Sequence, residues 1–124
     1  MKIFVVDDSK AVHRLLEEML NEFSQINLEH SYNGREAVDA VTSNCFEADM
    51  ILLDWEMPEL TGIEALPELK KCCSKRPIIM MTSKNSMADI TEALTKGATD
   101  YMMKPFTKDI LLGKIKLATG EDLQ

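Results

Sequence analysis

The chain has 124 residues, 45% of them hydrophobic, which suits one compact domain with a shared core. A formal net charge of −7 and a pI of about 4.8 argue against nonspecific binding to nucleic acid. No apolar run approaches the roughly 20 residues of a membrane span and no signal-peptide pattern opens the chain, so a cytoplasmic domain without a membrane partner is expected.

Apolar runs alternate with amphipathic segments along the chain. Residues 3–6 read as a β-branched and aromatic strand. Ser9 then caps a helix on which Val12, Leu15, Leu16, Met19, Leu20 and Phe23 recur at the 3.6-residue period. Residues 28–32 form a weaker strand, Asn33-Gly34 breaks the chain, and Ala37, Val38 and Val41 mark a second helix. Cys45, Cys72 and Cys73 are odd in number and irregular in spacing, and read as free thiols in a reducing compartment.

Residues 50–53 are continuously apolar, as a strand buried on both faces should be, and end at Asp54. After Met57-Pro58 and Thr61-Gly62 comes a third helix carrying Ile63, Leu66 and Leu69. Pro67 would remove a backbone donor from it, so the helix is expected to start late or bend. Residues 78–81 are the fourth strand. Ser86 and Asp89 form a capping box for a helix with Ile90, Ala93 and Leu94 inward, ended by Gly97. Residues 101–103 are a short fifth strand. Lys104-Pro105 turns the chain, and Thr107 caps a last helix with Ile110, Leu111, Ile115 and Ala118 inward. The nine methionines fall mostly on core positions. Repeated strand–helix alternation implies an α/β fold, a doubly wound five-stranded parallel sheet with five helices.

In such a sheet, ligands bind at the carboxyl ends of the strands. Asp7 and Asp8 follow the first strand, Asp54 the third, Thr82 the fourth and Lys104 the fifth. Adjacent strands lie roughly 5 Å apart, so these side chains can converge. Taken singly, Asp7-Asp8 read as helix-dipole partners, Thr82 as a turn hydroxyl and Lys104 as a solvated charge. Their appearance at successive strand ends is what points to a site. Three carboxylates in one pocket repel each other, and a hard divalent cation such as Mg²⁺ together with Lys104 offsets that. Asp54, at the centre, is the natural nucleophile toward a phosphoryl donor.

The runs Val5-Val6-Asp7-Asp8-Ser9, Leu52-Leu53-Asp54-Trp55-Glu56-Met57-Pro58, Met81-Thr82-Ser83 and Tyr101-Met102-Met103-Lys104-Pro105-Phe106 resemble the receiver domains of two-component response regulators. The resemblance covers residues 1–124, and the length is like that of a stand-alone chemotaxis (CheY-type) regulator. It implies a flavodoxin-like sheet of strand order 2-1-3-4-5 and phosphorylation at Asp54. It also implies Mg²⁺, with Mn²⁺ as a substitute, on Asp7, Asp8, Asp54 and the Glu56 backbone carbonyl. Lys104 and Thr82 would contact the phosphoryl group, Tyr101 would be the switch aromatic, and the bond to Pro105 would be cis. Thr61-Gly62 stands where many relatives have Asp-Gly, a change that Thr tolerates as a cap. The implied partners are a histidine kinase or phosphotransfer protein and a separate downstream protein, a flagellar motor switch protein among the candidates. A monomer is expected. A phosphorelay intermediate, or the receiver of a larger regulator, is the alternative; the lack of a linker after Ala118 weighs slightly against the latter.

Glu56 and Lys84 are expected to approach across the entrance to the phosphoryl group and hinder the attacking water, the alternative being two independent exposed charges. His13 and His30, on different elements, read as far apart and as structural or exposed, not as ligands. A Mg²⁺-dependent phosphohydrolase would typically place a second Asp where Glu56 stands, and would turn over where a switch labels stoichiometrically. A flavodoxin-like FMN binder would need a Ser/Thr-rich phosphate loop after the first strand, which the chain lacks.

Overall fold

In the computed structural model, the described residues are 1–43, 48–58, 60–72 and 75–123. Cys45, Cys73 and the side chain of Val41 lie outside them, and Cys72 is an exposed free thiol. Strands and helices alternate as β1 (Lys2–Val6), α1 (Lys10–Leu20), β2 (Asn27–Ser31), α2 (Gly34–Ser43), β3 (Met50–Asp54), α3 (Gly62–Cys72), β4 (Ile78–Thr82), α4 (Met87–Thr95), β5 (Asp100–Met103) and α5 (Lys108–Thr119). All pairings are parallel and the strand order is β2-β1-β3-β4-β5, as the resemblance implied.

β3 and β4 are buried at every residue, which is why their sequences are unbroken apolar runs. Alternate residues feed two cores. Val6, Ile51, Leu53 and Met80 pack with α2, α3 and Ala93 of α4 on one face of the sheet. Val5, Leu52, Ile79 and Met81 pack with α1 and α5 on the other. Ser9, Ser86 and Thr107 each cap a helix by accepting from the amide three residues on.

The helix faces differ from the sequence reading in places. On α4 only Ala93 is buried, and Leu94, expected inward, is 44% exposed. On α5 the buried positions are Leu111, Leu112 and Ile115, and Ile110 is turned out. Three consecutive apolar residues offer two adjacent stripes, and docking against β5 selects the one containing Leu112. On α1, His13 joins Leu16 and Leu20 on the buried stripe, with Leu15 at the margin.

Helix α3 does not start late. It begins at Gly62 and runs through Pro67. Its start is fixed from outside: the Gly62 amide donates to the Trp55 carbonyl at 2.8 Å, and Thr61 and Glu64 form a reciprocal cap. Pro67 is exposed, and the carbonyl left without a helical donor by its missing N–H is that of half-buried Ile63.

Gly62 is required by contact. A β-carbon there would lie 1.9 Å from the Asp54 carbonyl oxygen and 2.9 Å from the Trp55 α-carbon. Both neighbours are backbone and neither yields by a rotamer change. Gly62→Ala is expected to lower unfolding stability by at least about 2 kcal/mol, read from a urea titration. A midpoint equal to that of the parent protein would show that α3 docks on β3 without this close approach.

Candidate functional site

The carboxyl ends of β1, β3, β4 and β5 meet at one edge of the sheet. Asp54 is the last residue of β3, aligned with Met81, and Thr82 is the last of β4, aligned with Met103. Asp7 follows β1 and Lys104 follows β5, where the Lys104 amide donates to the Thr82 carbonyl at 2.8 Å. The Lys104-Pro105 bond is cis.

The Lys104 ammonium donates to Asp7 Oδ2 and to Asp54 Oδ1, each at 2.9 Å. The Asp7 side chain is fully buried and that of Asp54 nearly so. Asp7 Oδ1 accepts from the Ser9 amide, tying the carboxylate to the start of α1. Asp8 is exposed. One carboxylate oxygen from each of Asp7, Asp8 and Asp54 lies within 4.8 Å of the others. Three carboxylates against one ammonium leave negative charge uncompensated, and an all-oxygen donor set of this kind fits a hard divalent cation such as Mg²⁺.

The electrostatics favour ion capture. Burial is the main influence on Asp54 and, helped by the charge of Asp7, pushes its carboxyl from 3.8 up to about 6, against the pull of Lys104 and the Glu56 amide. Burial alone would lower the Lys104 ammonium, but its hydrogen bonds and charge interactions with Asp7 and Asp54 outweigh this and raise it above 10.5. The lysine therefore stays charged.

Thr82 is 3% exposed, and its Oγ1 accepts from the Lys84 amide at 2.8 Å, which leaves its own O–H to donate. Tyr101 is half-buried. Lys114 of α5 lies 5.1 Å from its ring centroid while donating to both oxygens of Asp100 at 3.1 and 3.0 Å. This clamp has no local sequence signal, because residues 100 and 114 meet only through the docking of α5 on β5.

One expectation, the separation of His13 and His30, is corrected. Between Lys84 and the exposed Glu56 there is no ion pair, and the Lys84 ammonium lies 5.7 Å from the Trp55 ring centroid. The indole beside Asp54 is 6% exposed and presents its ring to this cation. His13 and His30 are not far apart, for their Nδ1 atoms are 2.6 Å from each other. Leu28 and His30 share the sheet face that α1 covers, and His13 is three residues before Leu16 on the covering stripe, so strand parity and helix period together carried that signal.

An α/β sheet with acidic side chains, a hydroxyl and a lysine gathered at the strand ends defines a receiver-type phosphoryl-acceptor architecture. The sequence matches the response regulator receiver domain over residues 3–116, and the chain belongs to that family. It is 34% identical to a chemotaxis protein CheY homolog of Campylobacter jejuni, over 97% of this chain and 95% of that one. Its fold superposes on the chemotaxis protein CheY4 of Vibrio cholerae with a TM-score of 0.84, at 28% identity, covering 94% and 97% of the two chains. It also matches the receiver domain of a sensor histidine kinase from Pseudomonas aeruginosa, at TM-score 0.84 and 26% identity, covering 97% and 98%. That structure carries a magnesium ion coordinated in its active site cleft.

A carboxyl whose pKa is higher folded than unfolded makes the folded state bind its proton more tightly, so its ionisation costs stability. In the metal-free protein the contribution of Asp54 therefore falls as pH rises from 3.8 through about 6. Asp54→Asn is expected to be more stable than the parent by about 1–2 kcal/mol near neutral pH, with the gain gone at low pH. Denaturant titrations across that window check it. A gain that grew toward low pH would reverse the assigned sign.

Proposed function

We propose that residues 1–124 form a single cytoplasmic, monomeric receiver that works as a phosphorylation switch with Asp54 as the acceptor. The observation that carries this reading is the buried Asp54 carboxylate, held by Lys104 inside an acidic trio at the strand ends. The phosphoryl donor is a histidine kinase or phosphotransfer protein. An Asp54 oxygen attacks the phosphorus of a phosphoimidazole, a P–O bond forms as the P–N bond breaks, and the imidazole leaves with the electron pair. Asp7, Asp8, Asp54 and the Glu56 carbonyl would hold Mg²⁺, or Mn²⁺ in its place, which supplies positive charge toward the transferring oxygens.

The protein's own groups do the rest. Lys104 keeps Asp7 and trades its Asp54 contact for a phosphoryl oxygen. Thr82 turns its free O–H to another, and the segment after β4 follows, because its Lys84 amide is bonded to that same hydroxyl. Tyr101 then moves inward and alters the face formed by α4, β5 and α5. A shift from 1:99 to 99:1 would require phosphorylation to favour the active state by about 5.5 kcal/mol. The function is signalling, not turnover. The output is a changed affinity for a separate protein, and the chemotaxis names of the relatives favour a flagellar motor switch protein. The same chemistry would serve a phosphorelay intermediate or the receiver of a longer regulator. Among the described residues, no helix is long and apolar enough to cross a membrane.

Acetyl phosphate with Mg²⁺ is expected to label the protein once per chain, and Asp54→Ala to abolish the label, read by intact mass under acid-stable conditions. Equal labelling of Asp54→Ala would overturn the assignment. Lys114→Gln removes the cation over the Tyr101 ring and is expected to raise the inward population of that ring before phosphorylation roughly two- to fivefold. Fluorine NMR of fluorotyrosine-substituted protein reads this. An unchanged population would remove Lys114 from the switch.

A further inference from the structure

The contact between His13 and His30 has an unusual hydrogen count. Their Nδ1 atoms face each other at 2.6 Å. The second nitrogen of each ring faces an acceptor: His13 Nε2 is 2.7 Å from the Asp7 carbonyl oxygen, and His30 Nε2 is 2.8 Å from Glu17 Oε1. A carbonyl and a carboxylate only accept, so each Nε2 must carry a hydrogen. A neutral imidazole protonated at Nε2 presents a bare lone pair at Nδ1. Two such lone pairs are tolerated at this distance only with a cation between them, and one shared proton is the smallest that serves.

We propose that this pair is a two-histidine site for a borderline-soft divalent ion of the Zn²⁺ type, which replaces the shared proton and staples α1 to β2. Loading puts the ion between the two Nδ1 atoms and releases one proton to solvent, so the pair goes from carrying one positive charge to carrying two. Neutral imidazole nitrogens are ligands of choice for such ions. Each ring already has the outer partner that orients metal-bound histidines, one a backbone carbonyl and the other a carboxylate. The Tyr32 ring, its centroid 4.4 Å from that of His13, packs against the pair.

The movement needed is small and falls where the structure can give. Two Zn–N bonds of about 2.0–2.1 Å at a tetrahedral angle place the nitrogens about 3.3 Å apart, so the rings separate by less than about 1 Å. His13 is 4% exposed and fixed in the core. The side chains of His30 and Glu17 are 20% and 59% exposed, so His30 can swing and water can complete the coordination. Nitrogen donors select against Mg²⁺, so the acidic trio and this pair take different ions.

The full chain, saturated with Mg²⁺ to occupy the acidic trio, would be titrated with Zn²⁺ while the imidazole nitrogens are followed by NMR. The expected result is a joint shift of both Nδ1 signals that saturates at one equivalent. His13→Gln and His30→Gln should each lower the affinity about tenfold or more, and Glu17→Ala about tenfold through loss of ring orientation. Imidazole signals of the unaltered protein that do not respond to Zn²⁺ would overturn the proposal without recourse to any variant. So would Zn²⁺ affinity in a folded His30→Gln protein equal to that of the parent.

Discussion

One ammonium group makes the strand ends habitable. Lys104 reaches Asp7 and Asp54 at 2.9 Å each, and both carboxylates are nearly or wholly removed from water. Two such anions on neighbouring strands would repel by several kcal/mol at the effective dielectric of a protein near its surface. The lysine is delivered by main chain: its amide bonds to the Thr82 carbonyl, so the end of β5 is fastened to the end of β4 just where the side chain must cross toward β3 and β1. The Gly62 amide on the Trp55 carbonyl fastens the other side of Asp54.

The compensation is incomplete, and that serves the chemistry. Asp54 remains costly to ionise, with its carboxyl raised to about 6. A group in that state responds strongly to any added positive charge. In the proposed reaction a divalent cation beside it would stabilise the Asp54 carboxylate and screen the charge of an incoming phosphoryl group. Lys84 is not among the groups that set the Asp54 carboxyl, and its ammonium lies 5.7 Å from the Trp55 ring centroid. The exposed Glu56 contributes its amide instead, which donates to Asp54.

The sheet and its functional edge were legible in the sequence for a simple reason. A strand buried on both faces must be apolar throughout, so a polar residue at its end is conspicuous, as Asp54 and Thr82 are. The helix faces were less legible. Ile110, Leu111 and Leu112 are consecutive and equally apolar, and only contact with the sheet decides which turns outward. Long polar side chains were the hardest. Lys84 lies beside the Trp55 indole, and Lys114 joins Asp100 across elements with no shared pattern. The histidine pair lay between these cases. Each ring could be assigned to its face, but the meeting of the two depended on the docking of α1 over β2.

Helix α4 is attached differently from its neighbours. Its one fully buried side chain is Ala93, while Met87 and Leu94 stand in solvent at 76% and 44% exposure. An alanine gives up little apolar area when it leaves the core, so displacing this helix disturbs the fold less than displacing α3, which buries Ala65, Leu66 and Leu69. Local opening should therefore be more frequent along α4 than along α3, with its amides trading hydrogen for deuterium well before those of β3 or β4. The domain keeps a lightly anchored helix beside the aromatic ring and the threonine loop, so a rearrangement at the acidic edge can spread outward at low energetic cost.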